Sequence, residues 1–476
     1  MNKFLHQLRT QVTDLIINTD QDYIAQTCTD WRKRYTTSAL AVLEPINSGQ
    51  VQQIMTICNQ FNICISTQGG NTGLVGGAVP VAVGASASRP HVVIKTNRIR
   101  EILQLDKNNL TLTASVGYTL YEIQEYASSH DCLFPLSLAS EGSCTLGGNL
   151  GSNAGGMAVL RYGNTRELCM GLEYINAYGE LCGDLRGLRK NNTGYDLRHL
   201  LIGSEGTLGL ITKACMKVFP APRSRCIVWL NVVNIQAAVD ALEFFQRHLF
   251  NELSSYEWMN SYAIDLVQKY FPAKAPILSE TVDHVLAEFT SLGTTEDLYE
   301  RITSCLSALM EVQNTIRHVV IAQNEREMNT LWSIRENISE AQAKEGLNVK
   351  HDLACTVSRL SEFHDRALNE IARHGIDVRP VLFGHLGDGN LHFNLSAPKG
   401  IDSSSFLQQY QNQLHDIVNE TILRCGGTIS AEHGIGQLKA KLLLETTSSS
   451  NYSSFTSIKK ALDPKNLLNP GKLILI

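Results

Sequence analysis

The sequence predicts a mixed α+β chain of more than one domain, and three observations predict it. A length of 476 residues exceeds what a single hydrophobic core usually organises, since domains run to about 100–200 residues. The first 220 residues alternate short apolar runs with helical spacing, the pattern of an α/β layer. The second half keeps its strands but sets them among longer helical stretches. At 43% hydrophobic and 18% charged, the chain has the apolar material for large cores and falls outside the disordered class.

The elements follow in order. Ala39-Leu40-Ala41-Val42-Leu43 reads as a buried strand. Val51, Ile54, Met55, Cys58 and Phe61 follow at helical spacing, and Ile63-Cys64-Ile65 is the next strand. Val92-Val93-Ile94, Leu110-Thr111-Leu112-Thr113 and Leu172-Glu173-Tyr174-Ile175-Asn176 continue the alternation. A last strand within Gly206 to Val218 stops at Pro220-Ala221-Pro222, a domain boundary. Beyond it, Cys226 to Val233 reads as a strand, and Ile235 to Leu249 and Leu298 to Val312 read as helices. Glu325 to Glu345 reads as one long helix and Gln408 to Arg424 as another. The tail carries two Asx/Pro turns, at Asp463-Pro464 and Asn469-Pro470.

Charge excludes several classes. With 41 Lys+Arg against 46 Asp+Glu, the net charge of -5 gives no footprint for nucleic acid. No run approaches the roughly 18 apolar residues of a spanning helix, and Met1 to Gln7 lacks an apolar run of signal-peptide length. The twelve cysteines are scattered without a C-x-x-C pair, which disfavours a zinc ribbon or iron–sulfur cluster. Reduced thiols in a cytoplasmic setting are expected.

The glycines are clustered. Five of nine residues are glycine in Gly69 to Gly77, and six of fifteen between Gly142 and Gly156. Such runs let consecutive backbone N–H groups turn inward as an anion-binding nest. Thr72, Thr145, Ser152 and Asn153 can add side-chain hydrogen bonds. No Gly-Lys-Ser/Thr closes either loop, so neither is a Walker A loop, and neither is a G-x-G-x-x-G with a following acid. Tight loops that serve packing alone are the competing explanation.

The late stretch Gly384-His385-Leu386-Gly387-Asp388-Gly389-Asn390-Leu391-His392-Phe393-Asn394 reads as strand, turn, strand. The pleat sends His392 and Asn394 to one face and Leu391, Phe393 and Leu395 to the other. A hairpin can bring His385 beside His392, and Ala431-Glu432-His433-Gly434 follows some forty residues later. Two histidines and a carboxylate are a common catalytic zinc set, and Mn²⁺ or Fe²⁺ suits them too. Either histidine alone could instead be a hydrogen-bonded structural residue.

Four segments carry a family resemblance. Thr67 to Gly77, Gly147 to Gly156, Arg189-Lys190-Asn191-Asn192-Thr193-Gly194-Tyr195-Asp196-Leu197 and Gly203-Ser204-Glu205-Gly206-Thr207-Leu208-Gly209 resemble the motifs of vanillyl-alcohol-oxidase/p-cresol-methylhydroxylase-type flavoproteins. Within that family the chain is most similar to the D-2-hydroxyglutarate and D-lactate dehydrogenase branch. The resemblance implies an N-terminal helical segment (1–35) and a two-subdomain α/β FAD-binding domain of p-cresol-methylhydroxylase type (36–221). It further implies an α+β substrate (cap) domain with an antiparallel sheet and the metal hairpin (222–424). A C-terminal segment (425–476) would then return to complete the FAD domain.

It also implies FAD bound non-covalently, since no histidine lies between Gly69 and Gly77. The positions that match FAD-binding residues are Gly69, Gly70, Asn71, Thr72, Gly73, Gly76, Glu141, Gly142, Thr145, Gly148, Asn149, Ser152, Asn153, Glu205, Gly206, Ile211 and Asn469. His385, His392 and Glu432 match its metal ligands, with Zn²⁺ the expected divalent ion, and His433 its catalytic base. Asn394 and His433 match substrate contacts, as do Arg335, Ser339 and Lys350, which match positions that meet substrate carboxylates; Ser339 replaces the usual threonine.

The implied activity is oxidation of a D-2-hydroxy acid to the 2-oxo acid, with hydride transfer to flavin N5 and D-2-hydroxyglutarate the preferred substrate. D-lactate dehydrogenase and the flavin subunit of a glycolate oxidase complex are alternatives within the family. A metal-dependent hydrolase using the same His/His/Glu set is the alternative of another class. Reduced FAD implies an external electron acceptor, whether an electron-transfer flavoprotein, a quinone or a cytochrome. A homodimer is the assembly to be tested.

Overall fold

The computed structural model describes residues 2–81, 88–272 and 282–476. The chain forms two compact units. The first comprises Met1–Gly155, Gly163–Ala221 and Glu432–Ile476; the second comprises Gly156–Tyr162 and Pro222–Ala431.

The first unit holds two main sheets. A four-stranded sheet runs in the order Ile16–Asn18, Ala41–Glu44, His91–Lys95, Cys64–Gln68. Its last three strands are parallel, as the strand–helix–strand opening of the sequence requires. The helix Ser48–Phe61 makes that crossover and buries Val51, Ile54, Met55 and Cys58, the apolar stripe read from the sequence. Asn47 caps it by accepting the N–H of Gln50, and Asn62 ends it in the left-handed region at φ 56°.

The second sheet differs from the alternation expected after residue 100. Its five strands, Leu103–Asp106, Thr111–Ser115, Leu210–Lys217, Cys169–Ile175 and Leu181–Asp184 in spatial order, pair antiparallel throughout. The links between Asp106 and Thr111 and between Ile175 and Leu181 are too short for a helical crossover, so hairpins form instead.

The C-terminal tail is stitched back onto the parallel sheet. Leu468 bridges Ile65 in parallel, with Ile65 N–H donating to Leu467 O and Asn469 N–H to Ile65 O, each at 2.8 Å. Two buried lysines hold the tail there. Lys459 pairs with Asp463 at 2.6 Å and donates to Thr207 O and Leu468 O. Lys472 donates to Ser66 Oγ at 2.9 Å and Asn469 Oδ1 at 3.0 Å.

The second unit is built on an eight-stranded sheet. The order is Ile316–Ile321, Ser224–Val232, Asp283–Ser291, Leu253–Met259, Arg379–Gly384, Asn390–Ser396, Asn348–Val349, with Asp352–Ala354 also pairing Asn390–Ser396. Every pairing is antiparallel, so each strand presents alternate residues to two faces. One face carries Tyr256, Trp258, Leu382, Leu391, Phe393 and Leu395 into the larger core with the helices Ile235–Leu249, Thr295–Val312, Leu360–Arg373 and Ser403–Arg424. The opposite face packs Trp229, Met259, Val381 and Phe383 against Met328, Trp332, Ile334 and Ile338.

Those last residues correct one expectation. The predicted helix over 325–345 is two helices, Glu325–Glu336 and Ile338–Glu345, joined at Asn337. The Asn337 side-chain amide donates at 2.5 Å to Ser333 O, the same carbonyl that accepts the Asn337 N–H at 3.1 Å, so that oxygen is shared at the junction. Arg335 and Ser339 therefore lie on opposite sides of a break.

Candidate functional site

In the first unit the two glycine clusters wall one cavity with about 970 Å³ of empty space, part of it open to solvent. Gly69, Gly70, Asn71, Thr72 and Gly73 form one side; Thr145, Gly148, Asn149 and Ser152 form another; Glu205, Gly206, Ile211 and His433 complete the lining with their neighbours. Gly69 and Gly70 are glycine because the two loops approach too closely there for side chains. A Cβ on Gly70 would lie 2.0 Å from Ser143 O, and one on Gly69 2.3 Å from Thr145 Oγ1. The buried amide nitrogen of Asn149 finds no acceptor oxygen among the described residues. A glycine-walled cavity with an unsatisfied buried donor fits a diphosphate-bearing cofactor such as FAD.

Glu205 shapes the floor of this cavity. It takes the left-handed conformation at φ 52° and is followed by Gly206 at φ 69°. That strain is held from three sides. Its N–H donates to Gly151 O at 2.8 Å, its carbonyl accepts Asn469 Nδ2 at 2.6 Å, and its carboxylate accepts the N–H groups of Ile435 and Gly436, each at 2.7 Å. Burial pushes the Glu205 pKa up, and those two N–H groups pull against it.

Several expected cofactor residues stand off the cavity wall. Gly76 instead carries the turn at φ 69°, where a Cβ would meet the Tyr35 ring at 2.6 Å. Asn153 ends the helix Leu146–Ser152 and accepts the N–H of Arg166. Asn469 supports Glu205 and Thr67 from behind. Glu141 and Gly142 also lie outside the lining. Ala78, Thr96 and Leu210 line the cavity without having been singled out in the sequence.

In the second unit the hairpin brings its two imidazoles together. The registers Val381↔Asn394 and Phe383↔His392 put His392 and Asn394 on the face of Val381 and Phe383, opposite Leu391 and Phe393. His385 continues the same alternation at the end of its strand, and the two histidine rings lie 6.3 Å apart, centroid to centroid. The turn is a 3₁₀ segment, Leu386–Asp388, closed by Gly389 at φ 86°, where a Cβ would collide with Cys355 O. Gly387 is equally constrained, with Leu160 2.7 Å from the position of a Cβ.

Beneath this face lies a carboxylate that sequence reasoning missed. Glu257, on the strand Leu253–Met259, has a side chain 0% exposed. Its Oε1 meets His385 Nδ1 at 2.5 Å, and its Oε2 accepts Arg335 Nε at 2.7 Å. Burial alone would raise its pKa; the adjacent His385 and Arg335 outweigh burial and hold it well below the usual carboxylate range. A lone acid among Tyr256, Trp258 and Met259 in a wholly buried strand was the available signal.

A carboxylate on the Nδ1 of His385 is the arrangement common to metal-bound histidines. The paired imidazoles of His385 and His392 are donors of the type that suits a borderline divalent ion. Glu432 is the first residue of the last segment of the first unit, directly before His433 of the cavity wall.

The expected substrate residues are placed as follows. Arg335 stacks its guanidinium 4.8 Å from the Phe383 ring centroid while holding Glu257. Asn394 is buried, with Nδ2 donating to Gln342 Oε1 at 3.0 Å and Oδ1 accepting the N–H of His351. Ser339 and Lys350 are exposed.

Comparison with known proteins supports a flavin as the occupant of the glycine-walled cavity. The family described as "FAD linked oxidases, C-terminal domain" matches residues 221–473, and "FAD binding domain" matches residues 39–183. D-2-hydroxyglutarate dehydrogenase, mitochondrial, of Danio rerio is 33% identical over 96% of this chain and 82% of its own length. D-2-hydroxyglutarate dehydrogenase of Stutzerimonas stutzeri (strain A1501) is 31% identical over 98% of both. Among solved structures, p-cresol methylhydroxylase with substrate bound gives a TM-score of 0.75 at 14% identity, covering 99% of this chain and 96% of that one. At that identity the likeness shows the fold.

Proposed function

We propose, from the premise that this chain belongs to the FAD-linked oxidase family, that it oxidises D-2-hydroxyglutarate to the 2-oxo acid. Relatives named for that activity share about a third of its residues over nearly its whole length, which supports the reading. The observation that carries it is the position of His433, a candidate proton acceptor on the wall of the same cavity as both glycine loops.

Non-covalent FAD, held by the two glycine loops, Asn149 and Glu205, would supply the hydride acceptor, and a divalent ion, best Zn²⁺, on His385, His392 and Glu432 would acidify the substrate hydroxyl. We assign the chain's own residues these roles. His433 takes the hydroxyl proton through an imidazole nitrogen. Arg335 holds the substrate carboxylate by a charge-assisted bond, with Ser339 and Asn394 as neutral partners. Lys350 meets the distal carboxylate and so sets the preference for a dicarboxylate over lactate. Reoxidation falls to an external acceptor, and twelve unpaired cysteines support a reducing setting, for which the cytoplasm is our reading. No helix among the described residues is long and apolar enough to cross a membrane.

A dye-reduction screen of D- and L-2-hydroxy acids, with and without chelator, tests this. The expected result is a yellow protein that turns over D-2-hydroxyglutarate fastest and stops when the metal is removed. Chelator-insensitive turnover of every substrate would remove the metal from the mechanism. A colourless, metal-loaded and active protein would replace the dehydrogenase by a hydrolase.

A further inference from the structure

We propose that Glu257 is a positioning residue that ties the candidate metal ligand His385 to the candidate substrate-binding residue Arg335, so that cation and carboxylate sites are held in one register. The proposal rests on the dehydrogenase reading above and deepens it. Each carboxylate oxygen serves one partner: Oε1 faces His385 Nδ1 at 2.5 Å, and Oε2 accepts Arg335 Nε at 2.7 Å.

The location makes this arrangement expensive, which argues for a role. Glu257 is 0% exposed, and its neighbours on the same sheet face, Met259, Val381 and Phe383, are apolar. Burying a charged pair costs several kcal/mol of desolvation, and well-packed apolar residues of similar volume often do as well or better for stability. What an apolar residue cannot do is fix orientation. The carboxylate takes Nδ1 of the imidazole and so fixes the orientation of its ring. The same carboxylate takes the inner nitrogen of Arg335 and so fixes the orientation of the planar guanidinium.

A second set of contacts closes the arrangement. The Arg335 guanidinium lies 4.8 Å from the Phe383 ring centroid, and Phe383 packs against His392 at 4.9 Å. His392 lies 6.3 Å from His385, which returns the path to Glu257. Both imidazoles and the guanidinium therefore belong to one ring of contacts, and a shift in one displaces the others.

The test uses the full-length flavoprotein with Glu257→Gln, which keeps the shape and removes the charge. Zn²⁺ affinity is read by titration against a competing chelator, and kcat and KM for D-2-hydroxyglutarate are read at saturating Zn²⁺. The expected result is a dissociation constant for Zn²⁺ about 10–100-fold higher, together with a raised KM, at unchanged FAD content. A merely structural role would lower thermal stability and leave both constants unchanged, and that outcome overturns the proposal. A change in one constant without the other also overturns it, because the link between the two sites would be absent. Should Glu257→Gln fail to fold, Arg335→Ala removes one arm of the link without touching a metal ligand. Zn²⁺ binding is then expected to tighten several-fold, since the Glu257 charge acts on His385 alone; an unchanged affinity overturns the proposal. A wild-type protein that turns over without any metal fails at the parent reading, and the wild-type control separates the two.

Discussion

Glu205 and Gly436 are joined by a 2.7 Å hydrogen bond from the backbone N–H of Gly436 to the carboxylate, and the N–H of Ile435 donates to the other oxygen at the same distance. The loop that carries His433 is thereby clamped to the floor of the glycine-walled cavity. Glu205→Ala would leave two N–H groups without their charged acceptor, at about 1.5–3 kcal/mol for each such bond and less where water replaces it. The expected outcome is a lower melting temperature with a larger fall in kcat than change in KM, because His433 loses its orientation. Thermal unfolding and steady-state dye reduction check this, and an unaltered kcat would dissociate Glu205 from His433.

Glycines of the first loop differ in what they tolerate. Gly70→Ala would drive a methyl group to 2.0 Å from the backbone oxygen of Ser143, whereas Gly73→Ala meets nothing within 4 Å. Gly70→Ala is therefore expected to yield colourless or unstable protein, through overpacking of a backbone contact that cannot retreat. Gly73→Ala is expected to fold normally, so any loss of flavin from it reports contact with the cofactor alone. The ratio of flavin to protein absorbance after desalting measures both, and equal flavin content in the two variants would contradict the wall geometry.

Lys350 separates substrates by their distal charge. Lys350→Met is expected to lower kcat/KM for D-2-hydroxyglutarate by about tenfold or more, the worth of one charge-assisted hydrogen bond, and to leave D-lactate nearly unaffected. Equal losses on both substrates would take away the reason for preferring the dicarboxylate.

Glu345 makes the second unit sensitive to acid. Its carboxylate, 10% exposed, accepts from Lys269 and Arg379 at 2.6 Å each and from Tyr270 at 2.7 Å. Burial opposes ionisation, but these donors outweigh it and bring the pKa down to about 2. A depressed folded-state pKa gives stability that is complete above the ordinary value near 4.3 and is lost as pH falls from there towards 2. The full shift corresponds to about 3 kcal/mol, which the exposed Lys269 reduces to about 1–2 kcal/mol through screening. Melting temperatures of the wild type and Glu345→Gln should differ at pH 7 and converge towards pH 2. Parallel curves across that range would show that Glu345 carries none of the acid sensitivity.

Much of the candidate site was legible in the sequence because its signals are local. The helix stripe Val51, Ile54, Met55 and Cys58 and the alternation of His392 and Asn394 against Leu391, Phe393 and Leu395 need only the periods of helix and strand. The glycine clusters were equally visible, since loops that touch backbone to backbone exclude side chains. The junction at Asn337 was hidden because it interrupts the helix at a single residue while the helical pattern continues on both sides. The antiparallel second sheet was misread as further alternation because strand direction depends on connection geometry, which apolar periodicity does not encode.

By itself the sequence determined which residue types carry the chemistry and which face of each element they occupy, because backbone geometry converts spacing directly into direction. Tertiary structure alone decided that Glu257, 128 residues before His385, lies beneath it and also reaches Arg335. Strand order brings Leu253–Met259 beside Arg379–Gly384, and the pairing of a buried carboxylate is settled by whichever donors that order delivers.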